Sequence, residues 1–168
     1  MLQLKAISDT VNIYVKSDPY IPIDIDFGFW DPSIDPTLYW RTGDLKKTLI
    51  EIGIGKKRGE IRSITLVLFP KYKIGITEKI LNNKIEENGL PLLETKKWDA
   101  DTHLDEVGNF DIYLGKNNIT ITFASNEVES QIINDRIVFY FDKNKQLCSI
   151  EIKDFSLAEI NNLKEYLS

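Results

Sequence analysis

Two runs of strict apolar/polar alternation constrain this chain more than any other feature. In Phe110-Asp111-Ile112-Tyr113-Leu114 the apolar Phe110, Ile112 and Leu114 share one side. After Gly115-Lys116-Asn117-Asn118, the run Ile119-Thr120-Ile121-Thr122-Phe123 puts Ile119, Ile121 and Phe123 on one side and the threonines on the other. Successive strand residues point to opposite faces, so each run is a half-buried strand and the Gly/Asn stretch between them is a hairpin turn.

The same logic finds two more hairpins. Residues 136–141 are apolar on both faces, Asp142-Lys143-Asn144-Lys145 turns the chain, and residues 147–152 return with Cys148, Ile150 and Ile152 on one face. Residues 48–54 place Ile50, Ile52 and Ile54 together, Gly55-Lys56-Lys57-Arg58-Gly59 turns, and residues 61–69 return as far as Pro70. Residues 2–7 and 11–15 read as short strands. Residues 17–44 hold four of the six prolines and read as an irregular excursion with one or two short strands.

Two helices are expected. Ser156 and Glu159 have capping-box spacing, Phe155 and Ile160 form a staple, and Leu157, Ile160, Leu163 and Leu167 form a stripe. A second helix is expected over residues 77–88, ended by Gly89. Helices laid on a mainly antiparallel, hairpin-rich sheet make the expected class α+β, with all of 1–168 in one domain. At 168 residues, 42% hydrophobic and 28% charged, the chain has enough apolar surface for a core without metal or disulfide.

Composition also narrows function. The net charge of −5 and pI near 5.0 argue against nucleic acid and favour a basic partner. No apolar run is long enough to span a bilayer and no signal peptide is evident, so no membrane is expected and the cytoplasm is the expected compartment. Without a secretion signal, the Asn118-Ile119-Thr120 triplet carries no weight as a glycosylation site. One cysteine, Cys148, allows no internal disulfide and reads as a small buried hydrophobe. One histidine, His103, excludes a His-rich metal site.

The remaining constellations read more simply as structure. Gly53-Ile54-Gly55-Lys56-Lys57-Arg58-Gly59 lacks the spacing and ending of a phosphate loop, and it joins two strands. Asp99, Asp101 and Asp105 alternate as calcium ligands do. Yet His103 and Leu104 stand where a ligand and the turn-making glycine belong, so this is an acidic loop. No cofactor, metal or catalytic residue is expected.

The segment 20–44 is different. It interleaves Tyr20, Phe27, Phe29, Trp30, Tyr39 and Trp40 with Asp24, Asp26, Asp31 and Asp35. Aromatics supply contact area at low entropic cost, and carboxylates attract basic groups. Asp24, Asp26, Phe29, Trp30, Asp31, Asp35, Tyr39 and Trp40 are therefore the candidate partner-binding residues. The other reading makes the aromatics a lid folded onto the sheet, with the aspartates capping turns.

Trp40-Arg41-Thr42-Gly43-Asp44, with Leu49-Ile50-Glu51-Ile52-Gly53, resembles immunity proteins of bacterial polymorphic toxin and contact-dependent inhibition systems. The stretch 141–152 is similar to short bacterial domains of unknown function. The resemblance implies a non-enzymatic protein that neutralises a basic toxin domain, and it assigns no residue a role. A small-ligand or carbohydrate-binding β domain using Trp30, Trp40 or Trp98 is the alternative. A carboxylate-dependent enzyme is the third reading.

Overall fold

The structure is a computed structural model and describes residues 1–75, 85–98 and 102–168. Along the chain run β1 (Leu4–Ser8), β2 (Ile13–Lys16), β3 (Ile23–Phe27), β4 (Thr37–Gly43), β5 (Leu49–Gly55), β6 (Ile61–Leu68), β7 (Lys73–Ile74) and β8 (Ile85–Asn88). They are followed by β9 (Leu90–Leu93), β10 (His103–Val107), β11 (Asp111–Leu114), β12 (Ile119–Thr122), β13 (Val128–Asn134), β14 (Ile137–Asp142), β15 (Leu147–Ile152) and α1 (Leu157–Tyr166).

Of the described residues 52% are strand and 6% helix, with one helix among them, so the expected α+β class is corrected to a β-rich fold. The expected helix over 77–88 fails where it can be seen. Ile85–Asn88 is a strand, parallel to β13, and residues 77–84 lie outside the described residues. The apolar spacing of Ile80, Leu81 and Ile85 fits a helix in sequence, but the backbone of 85–88 pairs with a neighbouring strand instead. Long-range pairing overrides local propensity of this kind.

The strands form a six-stranded sheet ordered β10-β4-β5-β6-β3-β2, a seven-stranded sheet ordered β7-β11-β12-β15-β14-β13-β8, and the pair β1-β9. The expected hairpins are present as β5–β6, β11–β12 and β14–β15. Three pairings, β10 with β4, β7 with β11 and β8 with β13, are parallel.

The two large sheets face each other across one core. Ile25, Trp40, Ile52 and Ile64 of one sheet share an apolar cluster with Ile112, Ile121, Phe139 and Ile150 of the other. Phe27 meets Phe139 at 5.9 Å, and Phe123 meets Trp40 edge-on at 5.5 Å. Period-2 alternation thus supplies both inner faces of a sandwich. Cys148 departs from its expected place beside Ile150. Leu147 pairs with Phe141 and Ser149 with Tyr140, so Cys148 is the extra residue of a bulge. It packs with Val128, Val138 and Tyr140 in a second cluster.

The helix begins as its cap requires. Glu159 N–H donates to Ser156 Oγ at 3.2 Å, and Ser156 N–H to Glu159 Oε2 at 2.7 Å. Ile160, Leu163 and Leu167 enter the main core, whereas Leu157 faces solvent.

Two ties hold the sheets in register with one another. Asn134, fully buried, accepts from Val11 N–H at 2.8 Å and donates to Val11 O at 2.9 Å. At the end where β1 and β9 lie, Leu4 N–H and Leu2 O bond to Lys145 O and Leu147 N–H, while Glu94 N–H bonds to Gln3 O and Leu93 N–H to Gly59 O at 2.7 Å. Gly59 has φ +84°, and a Cβ there would stand 2.0 Å from Leu93 O, so only glycine fits.

Asn134→Ala removes the amide that pairs both backbone groups of Val11. It is expected to lower unfolding free energy by about 1–3 kcal/mol in urea denaturation. An unchanged midpoint would mean that water replaces the amide without loss.

Candidate binding surface

The outward face of β3 follows from alternation. Ile23, Ile25 and Phe27 enter the core, which turns Asp24 and Asp26 to the outside. Tyr14 on β2 stands opposite Asp26, and Lys16 opposite Asp24. Lys16 Nζ lies 3.4 Å from Asp26 Oδ2, and Thr65 Oγ1 donates to Asp24 Oδ1 at 3.1 Å.

The 28–36 loop leaves β3 and is clamped from beneath. The pairing of β5 and β6 shifts between Gly53–Ser63 and Ile54–Ile61, so Arg62 is the extra residue of a bulge. Its side chain is 2% exposed. Arg62 Nη1 donates to Asp35 O at 2.7 Å and Thr37 Oγ1 at 3.0 Å, and Nη2 to Asp35 Oδ2 and Glu60 Oε1 at 2.9 Å each. The guanidinium lies 5.3 Å from the Trp30 ring centroid. Asp35 Oδ1 also accepts from Lys57 N–H at 3.0 Å, and Lys57 Nζ donates to Ile34 O at 2.6 Å. A planar, permanently charged group with five donors suits such a hub.

The loop is also organised from within. Asp31 Oδ1 accepts from Ser33 N–H at 2.8 Å and Ser33 Oγ at 2.7 Å, and these bonds hold its carboxyl below the usual range. With Trp30 and Asp35 fixed, Phe29 projects outward and is 99% exposed. It lines an open depression with Tyr14, Val11 and Asn12.

The eight candidate residues therefore separate. Asp24, Asp26 and Phe29 belong to the β2–β3 side, and Asp31 is exposed on the loop. Trp30 and Asp35 are anchors. Trp40 is 1% exposed, so it is a core residue and no surface platform. Its Nε1 donates to Glu106 Oε2 at 2.7 Å. Tyr39 is on the outward face but stacks on His103 at 5.6 Å. Residues adjacent in sequence part because the β5–β6 hairpin inserts between β3 and β4, a separation of about 14 Å at three strand spacings.

His103 and Asp105, expected in a loop, lie on β10 beside β4; Asp99 and Asp101 lie outside the described residues. Asp105 makes a two-pronged pair with Arg41 at 2.6 and 2.9 Å, which lowers its pKa. Trp98 is partly buried against the core. Among the described residues, no cluster of three or more His, Cys, Asp or Glu could hold a metal. No helix among them is long and apolar enough to cross a membrane.

Sequence reasoning missed Arg62, Glu60 and Tyr14. Arg62 follows Ile61 and reads as a solvent-facing position, because a bulge leaves no signature in simple alternation. The chain matches no protein-family model and no curated protein sequence.

Arg62→Ala leaves Asp35 and Glu60 without their counter-charge, and is expected to destabilise by about 3–5 kcal/mol in chemical denaturation. A loss below about 1 kcal/mol would remove Arg62 as the hub. Separately, Asp44 Oδ1 accepts from the N–H groups of Lys47 at 2.6 Å, Lys46 at 3.0 Å and Thr48 at 2.8 Å. These bonds, that of Lys47 first, lower its pKa from 3.8 to about 2. The carboxylate is favoured in the fold, so its contribution is complete above the unfolded value and fades as pH falls through the folded one. Carboxyl NMR should place the Asp44 midpoint near 2, and a midpoint near 3.8 would disprove the capped turn.

Proposed function

We propose that this chain is a non-enzymatic cytoplasmic protein that binds and neutralises a basic protein partner, as an immunity protein does its toxin. The observation that carries the reading is Phe29. A wholly solvated aromatic on a loop fixed by Trp30, Asp35 and Arg62 presents apolar area on a backbone that is already in place, so only the ring's own rotamer is ordered on binding. Asp31 on the same loop and Asp26, opposite the Tyr14 that shares Phe29's depression, give the surroundings negative charge. An aromatic anchor with a carboxylate rim is chemistry that recognises lysine- or arginine-rich surfaces.

The test is co-expression with the product of the adjacent gene, followed by titration. A one-to-one complex is expected. Phe29→Ala should weaken it by roughly tenfold or more with no change in melting temperature, because Phe29 contributes nothing to the core. Asp24→Asn with Asp26→Asn should slow association most at low salt. No complex, or one indifferent to Phe29, would refute the proposal.

A further inference from the structure

We infer that the outer edge of β2 is where the partner adds a strand, an extended segment alternating apolar residues with Arg or Lys. This rests on the protein-binding reading above and names how the partner would be held.

The register shows the edge to be open. Gly28 N–H donates to Asn12 O at 2.7 Å, so Asn12 and Gly28 form a hydrogen-bonded antiparallel pair. Counting in twos, Tyr14–Asp26 and Lys16–Asp24 are pairs of the same kind. Ile13 and Val15, opposite Phe27 and Ile25, then turn their N–H and C=O groups away from β3. β2 ends the six-stranded sheet, and no backbone partner takes those groups among the described residues. Four backbone groups in a row without a backbone partner among the described residues are a template for strand addition.

The two faces of the edge say what the added strand carries. Toward the core, Ile13 and Val15 are only partly buried, so the apolar layer ends unfinished beside them. An added strand with apolar residues on that side continues the layer. On the outer face β2 itself presents Tyr14 and Lys16; Asp24 and Asp26 stand one strand further in on β3, and Asp18 follows β2, so three carboxylates surround one ammonium. The net charge of that face therefore favours basic residues on the added strand, placed beside Tyr14 and away from Lys16. Tyr14 and Phe29, both exposed, flank the start of the edge and offer flat surfaces to the stems of Arg or Lys.

The experiment uses the full chain and a capped peptide of about eight residues alternating Val and Arg, long enough to cover a typical strand. Amide exchange by NMR is read at Ile13 and Val15. The peptide should slow both by roughly tenfold or more, a Val/Glu peptide should not, and N-methylation at alternate peptide residues should abolish the effect. Absence of protection at saturating Val/Arg peptide overturns the inference. Equal protection by the Val/Glu peptide overturns the basic specificity. Protection that rises with protein concentration alone means a second copy pairs there, and also overturns it. Complex formation with the neighbouring gene's product is read separately. A complex sensitive to Phe29→Ala that leaves Ile13 and Val15 unprotected rejects the edge and keeps the proposed function.

Discussion

Arg62 stands where the alternation of the six-stranded sheet breaks. A regular register would leave one outward side chain opposite Gly53; the bulge adds another and lays it flat beneath the 28–36 loop. That side chain meets both carboxylate neighbours, a backbone carbonyl and an indole face, so the loop has a charged floor in place of an apolar one. Burying a guanidinium is unfavourable unless its donors are satisfied, and here Nε, Nη1 and Nη2 all find acceptors. The position of Phe29 depends on that floor.

The regular parts of this architecture were legible because their signal is local. Ile119, Ile121 and Phe123 announce an inward face without reference to the rest of the chain, and Ser156 with Glu159 announces a helix start in the same way. The failures share a cause as well. Ile85 carries a helical spacing but lies in a strand whose partner is some 45 residues away, at Ser130. Trp40 is the inward member of an alternating pair with Tyr39, yet its prolines and aspartates upstream make the whole stretch look irregular. Cys148 and Arg62 are bulge residues, and a bulge is decided by two strands together.

The candidate surface was legible in composition and not in layout. Asp24, Asp26 and Phe29 were found because aromatics and carboxylates cluster in one stretch of sequence. Their separation from Tyr39 follows from strand order, which alternation alone does not contain. Tyr14 was missed for the converse reason. It lies outside that stretch and is brought to Asp26 only by the pairing of β2 with β3.

The β1–β9 strap also bears on the order of events in synthesis. Residues 2–4 bond to residues 145–147, and β9 bonds to both β1 and the Gly59 turn. β1 gains a partner once β9 has been made, but the bonds of residues 2–4 to 145–147 wait until the β14–β15 turn has been made. Contacts of such sequence separation close slowly because loop entropy is lost before they form. Until the β14–β15 hairpin arrives, the β1–β9 pair has nothing to close against at that end, and one end of the nascent sandwich stays open.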